Sequence, residues 1–108
     1  MSGQQLKGHL EGLVLAILES GPAHGYAIID ALREQSGGVF DLPEGTIYPA
    51  LHRLEDVGSV TSRREIVDGR QRRVYQLSPS GRRSLAEHRS SWREFSSAVM
   101  RVLEVRPA

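Results

Sequence analysis

Cysteine is absent from this 108-residue chain, which excludes a disulfide framework and a thiolate metal site. Aromatic residues are few, with one tryptophan and two phenylalanines, and Lys7 is the single lysine. No apolar run approaches a membrane span, because the longest, Leu13 to Leu18, is far too short. The first residues, MSGQQLKGHL, lack a basic region followed by a long apolar stretch, which argues against a secretion signal. A cytoplasmic protein without membrane attachment is the expectation. His9, His24, His52 and His88 are too scattered for metal-ligand spacing. The glycines form neither a phosphate loop nor a dinucleotide fingerprint, and no serine groups with a histidine and a carboxylate. Neither an enzyme, a metal nor a cofactor is expected.

What the chain does have is an uneven distribution of charge. Its net charge is only +1, yet residues 1–59 carry three basic against eight acidic side chains. Residues 60–83 reverse this, with Arg63, Arg64, Arg70, Arg72, Arg73, Arg82 and Arg83 against Glu65 and Asp68. A guanidinium donates two parallel hydrogen bonds to a phosphate, so an arginine-rich segment fits nucleic acid better than a lysine-rich one would. A solvated, charged hairpin is the plainer reading of the same residues.

Periodicity divides the chain into helix, helix, helix, hairpin, helix. Leu6 to Ser20 has helical spacing and an apolar surface wider than one face, stopped by Gly21-Pro22. His24 to Gln35 forms the second helix, with Tyr26, Ile29 and Leu32 three apart and Ser36-Gly37-Gly38 ending it. Gly25 near its start permits a close backbone approach. Val39 to Leu42 is a short link with apolar anchors. A third helix over 43–58 begins with Pro43 in its first turn and buries Ile47, Ala50, Leu51 and Leu54, with Gly58 as the stop. The period then changes. Val60 to Val67 and Arg70 to Leu77 read as strands around Asp68-Gly69, a hairpin signal whose loop length the sequence leaves open. Ser78 caps the fourth helix and Pro79 takes its first position. Along that helix Leu85, Trp92 and Val99 recur every seven residues, and His88, Phe95 and Val102 follow at an offset of three. Such an a/d seam is typical of an intersubunit helix.

The fold expected is mainly α with a β-hairpin: a winged helix-turn-helix over 1–78 with the wing at 60–77, a long C-terminal dimerisation helix over 79–104, and a tail over 105–108. In that architecture the third helix enters the DNA major groove. Burial of its apolar stripe leaves Thr46, Tyr48, Pro49, His52 and Arg53 on or beside the exposed face, as candidate DNA contacts. Pro49 costs little this close to the helix start. Tyr48 as a packing residue, and Arg53 paired with Glu44 or Asp56, are the structural alternatives. On the wing, Arg63, Arg64, Arg70, Arg72 and Arg73 are candidates for the backbone or a minor groove. Arg63 and Arg64, as strand neighbours, point to opposite faces. Lys7 is a further phosphate candidate. The seam residues Leu85, His88, Trp92, Phe95, Val99 and Val102 are candidates for dimerisation. Trp92 and Phe95, with Leu10 and Val14, are also candidates for lining an aromatic effector site near a two-fold axis.

Three segments carry a family resemblance: GPAHGYAIIDAL at 21–32, LPEGTIYPALHRLEDVG at 42–58 and GRQRRVYQLSPSGRR at 69–83. In this order and spacing they resemble the PadR family of transcriptional regulators, in its short form with one C-terminal helix. The resemblance implies a homodimeric winged helix-turn-helix, usually a repressor, on a pseudo-palindromic operator in double-stranded DNA. It places Tyr48 at the recognition-helix tyrosine. It places Trp92 where some drug-sensing members stack planar aromatic ligands, although the lining here is poor in acid for a cationic drug. Two other readings stay open: a protein–protein interaction module built on the last helix, and a DNA-binding dimer without an effector.

Overall fold

The computed structural model describes residues 9–104. Four helices and three strands follow one another: α1 (Leu10–Leu18), β1 (Ala23–His24), α2 (Gly25–Gln35), α3 (Glu44–Asp56), β2 (Val60–Val67), β3 (Arg70–Leu77) and α4 (Pro79–Leu103). The expected start of the first helix at Leu6 lies outside the described residues, as does the candidate Lys7.

The core is where the apolar periodicity meets. Leu10, Val14, Leu15 and Leu18 of α1, Ile28 and Leu32 of α2, and the α3 stripe of Ile47, Ala50, Leu51 and Leu54 are all buried together. Val60, Tyr75 and Leu77 close the cluster from the sheet and Leu85 from α4. The wide apolar surface of α1 follows from this position, since α1 touches α2, α3, α4 and β3.

Each helix begins and ends for local reasons. His24 caps α2, its Nδ1 accepting from the Ala27 amide at 3.3 Å. Ser78 caps α4, its Oγ accepting from the Gly81 amide at 3.0 Å, with Pro79 at the first position. At the end of α3, Gly58 turns into the left-handed region at φ 79°, and the Ser59 amide reaches back to the Leu54 carbonyl at 2.8 Å. That is a Schellman stop.

The hairpin loop is two residues, with φ 51° at Asp68 and 77° at Gly69. Positive φ at both positions makes the tight turn whose twist matches the flanking strands. Pairing runs from Val60 opposite Leu77 to Val67 opposite Arg70. The sheet has a third strand that periodicity did not reveal. β1 pairs with β3, giving the order β1-β3-β2. Two residues are too few for a pattern to show, and β1 exists because β3 offers a free edge there.

Two expectations about α3 change. Pro43 stands before the helix with extended backbone (ψ 163°), so Glu44 is the first helical residue. Pro49 is then five residues inside, beyond the amides that lack partners at any helix start. Its missing N–H removes the bond to the Gly45 carbonyl, so it is not free of cost.

Candidate nucleic-acid interface

The outer face of α3 runs along Gly45, Pro49 and His52, all exposed. A Cβ on Gly45 would meet nothing within 4 Å, so this turn of backbone is open to an approaching partner. Thr46 is half-buried at one edge of the face. Arg53 pairs with neither Glu44 nor Asp56; its Nε donates to Glu11 of α1 at 3.0 Å. Both side chains are substantially exposed, so the pair is a weak tether.

Tyr48 sits at the opposite margin, half-buried against the core. Its ring and hydroxyl lie against Gly25, where any side chain would collide with them. The close approach that Gly25 permits is therefore that of the Tyr48 ring. Burial first, and the Glu44 carboxylate second, push the Tyr48 hydroxyl above its ordinary range.

Tyr26, which shares helical spacing with Ile29 and Leu32, is 45% exposed. In α2 it is Ile28 and Leu32 that are buried in the core. The Tyr26 ring lies under the Arg72 guanidinium, 5.0 Å from its centroid. The neighbouring Glu44 carboxylate pushes the Tyr26 hydroxyl above its ordinary range. The first turns of α2 and α3 and the wing thus converge on one cluster. A first-turn aromatic facing an arginine-rich strand was the available signal for it.

Strand register sorts the wing arginines. Directly opposed residues share a face. Arg64 opposes Arg73, on the side that carries Val60, Ser62, Tyr75 and Leu77. Arg63, Arg70 and Arg72 lie on the other side, where Glu65 opposes Arg72. Arg63 bonds both Glu65 and Gln76 at 2.9 Å. Arg73 donates to the Ser62 hydroxyl at 3.0 Å, and Ser62 donates to Glu55 of α3. Arg64 and Arg70 form no ion pair among the described residues.

The seam of α4 is split. Leu85 is 3% exposed and belongs to the chain's own core, so it is not available to a partner. His88 packs on Gly12, where a Cβ would come within 2.9 Å of its Cγ. Beyond it, Trp92 and Phe95 are 45% and 59% exposed, and Met100, Val102 and Leu103 are exposed as well. Val99 is half-buried. Arg89 grips Glu19 with two bonds of 2.8 and 2.9 Å, fastening α4 to the end of α1.

Between α1 and α4 lies a cleft of about 210 Å³, bounded by His9, Leu13, Ala16, Phe40, His88 and Trp92 among others. The His9 ring meets Trp92 edge-on at 4.6 Å. Phe95 borders an adjoining recess. Leu10 and Val14, expected in such a lining, are instead core residues. The α1 face toward α4 is the one carrying His9, Leu13 and Ala16, and Leu10 and Val14 lie on the other. Among the described residues no group of histidines and carboxylates could hold a metal, and no helix is long and apolar enough to cross a membrane.

Known proteins share this design. The model of the "Transcriptional regulator PadR-like family" matches residues 14–87. "Transcriptional regulator Rv3488" of Mycobacterium tuberculosis is 43% identical over 68 residues, covering 63% of this chain and 64% of that protein. "Negative transcriptional regulator PadR" of Bacillus subtilis is 31% identical over 77 residues, 70% of this chain and 42% of that one. A PadR-like transcriptional regulator from Bacillus cereus superposes with a TM-score of 0.84 at 28% identity, over 96% of this chain and all of that one. A Streptococcus transcriptional regulator gives 0.83 at 31% identity, over 95% and 100%. With the family model spanning well over half the sequence, and the reading helix, wing and long last helix in place, the chain belongs to the PadR-like family of DNA-binding transcriptional regulators and is not an enzyme.

Proposed function

We propose that the protein is a homodimeric repressor that binds a pseudo-palindromic operator in double-stranded DNA. The observation that carries this reading is the distal half of α4. There Trp92, Phe95, Met100, Val102 and Leu103 present apolar surface that is left exposed among the described residues. A second copy, packed through the same face about a two-fold axis, buries it. The two α3 helices then address successive major grooves about one helical turn apart. Thr46, Tyr48, Pro49, His52 and Arg53 border the reading surface, and the wing arginines hold the flanking backbone. Repression, rather than activation, is supported by the Bacillus subtilis relative, a negative transcriptional regulator.

The cleft beside Trp92 supports a second element, release by a planar aromatic small molecule. Its walls are apolar and aromatic, and Phe40 links it to the segment that enters α3. A ligand that binds the DNA-incompetent geometry more tightly shifts the population away from the operator-bound form.

Light scattering on the eluting protein, paired with a gel shift on the DNA upstream of its own gene, tests the assembly and the target together. A dimer that shifts this DNA with steep salt dependence is expected. A monomer, or a dimer indifferent to the DNA, refutes the proposal. Trp92 fluorescence during titration with planar aromatics, repeated on operator-bound protein, tests the release step.

A further inference from the structure

The five wing arginines differ in what already satisfies them. Arg72 is half-buried, whereas Arg63, Arg64, Arg70 and Arg73 are exposed. Its guanidinium lies over the Tyr26 ring at 5.0 Å, and Glu65 stands directly across the ladder. The same Glu65 is bonded by Arg63, so Arg63 and Arg72 have internal partners, whereas Arg70 at the turn on this face bonds none among the described residues. The other face is different. Arg64 and Arg73 oppose each other directly, and like charges in that position repel. The Ser62 hydroxyl is the only group that Arg73 bonds among the described residues, and Arg64 bonds none. Such a pair is relieved when an anion lies between or beside the two side chains.

We infer that Arg72 is a positioning residue, bracing the wing on Tyr26, and that the opposed pair Arg64 and Arg73 engages DNA phosphates. The inference rests on the proposed docking of the wing on DNA. Tyr26 lies in the first turn of α2, so the brace ties the wing to the reading head. A wing held at a fixed angle presents Arg64 and Arg73 without first ordering the hairpin. Without the brace, that ordering cost falls on binding itself.

Salt dependence separates the two roles, because only a phosphate contact releases a counterion. The full chain is titrated onto a random-sequence duplex over a range of potassium chloride, by fluorescence anisotropy. Arg64→Ala and Arg73→Ala should each shallow the slope of log K against log salt by about 0.9. Arg72→Ala and Tyr26→Leu should each weaken binding about two- to five-fold with an unchanged slope. Tyr26→Phe keeps the ring face and should bind as the parent does. The Arg72→Ala/Tyr26→Leu double variant should bind no more weakly than either single one, since both remove the same contact. Circular dichroism checks that each variant is folded. If Arg72→Ala is not, Arg72→Lys replaces it: a brace loses affinity on losing the planar group, and a phosphate contact retains it. A slope shallowed by Arg72→Ala, or losses that multiply in the double variant, overturns the assignment. Binding unchanged in every variant removes the wing from the interface and overturns the docking beneath it as well.

Discussion

Replacing Gly81 with alanine should destabilise the protein through one backbone contact. Gly81 is buried in the first turn of α4, and a Cβ there would overlap the Ser59 carbonyl oxygen and come within 3.3 Å of Leu77 Cδ2. The obstacle cannot swing aside. Ser59 is held by its own amide, which donates to the Leu54 carbonyl at 2.8 Å, and by its carbonyl, which accepts from the Ser78 amide at 3.1 Å. Forcing a methyl group into a packed site costs about 1–3 kcal/mol. Losing the Ser78 bond adds about 1 kcal/mol. Alanine's better helix propensity returns at most about 1 kcal/mol. The balance is a loss of roughly 1–3 kcal/mol, which lowers the melting temperature of a domain this size by roughly 5–15 °C. Thermal melts followed by circular dichroism, at matched protein concentration, measure it, because assembly makes the midpoint concentration-dependent. Gly45→Ala is the control, since its Cβ meets open space. A Gly81→Ala variant melting at or above the parent temperature would refute the reasoning.

Three further outcomes are expected. Arg89 holds the Glu19 carboxyl below its ordinary value of 4.5, so the stability it contributes is complete above that value and is lost as pH falls through the lowered one. Denaturant unfolding of parent and Glu19→Gln protein should therefore differ in pH dependence only in the acid range, and a difference confined to neutral pH would contradict this. Pro49→Ala restores the ladder bond to Gly45 and should stabilise the fold by about 1–2 kcal/mol in the same assay, after allowing for the freer unfolded chain. Phe95→Ala removes apolar area from both sides of the proposed symmetric interface. It should raise the dimer dissociation constant roughly a hundred-fold by analytical ultracentrifugation, and an unchanged constant would place the interface elsewhere.

Much of the fold was legible because burial imposes a period. The stripe of Ile47, Ala50, Leu51 and Leu54 and the Asp68-Gly69 turn are found where the pattern puts them, since each is dictated by a single local requirement. β1 was not legible, because its two residues are a strand only by virtue of the β3 edge beside them. Tyr26 misled for a related reason. An aromatic at helical spacing reads as core, and only the packing of Ile28 and Leu32 into the core turns Tyr26 toward the wing. The a/d seam on α4 was visible but not its division, because Leu85 and Trp92 are equivalent in sequence and differ only in whether α1 lies above them. Leu10 and Val14 were misassigned to a ligand space through the same ambiguity, as α1 is apolar on both sides. The arginines of the wing were countable, whereas their sorting into two faces required the register.

The continuity of α4 has a mechanical consequence. Its first two turns are fixed into the reading head by Gly81 and Leu85, and the same unbroken helix of 25 residues carries the exposed apolar surface at its far end. At 1.5 Å per residue it is about 37 Å long, a stiff rod with no joint along it. A change of about 10° in the angle at which two such rods cross swings each reading-head end by about 6 Å, an appreciable part of the roughly 34 Å between successive major grooves. In the proposed dimer the rod therefore acts as a caliper. A small adjustment where the rods meet alters the gap between the reading heads and decides whether both find their grooves at once.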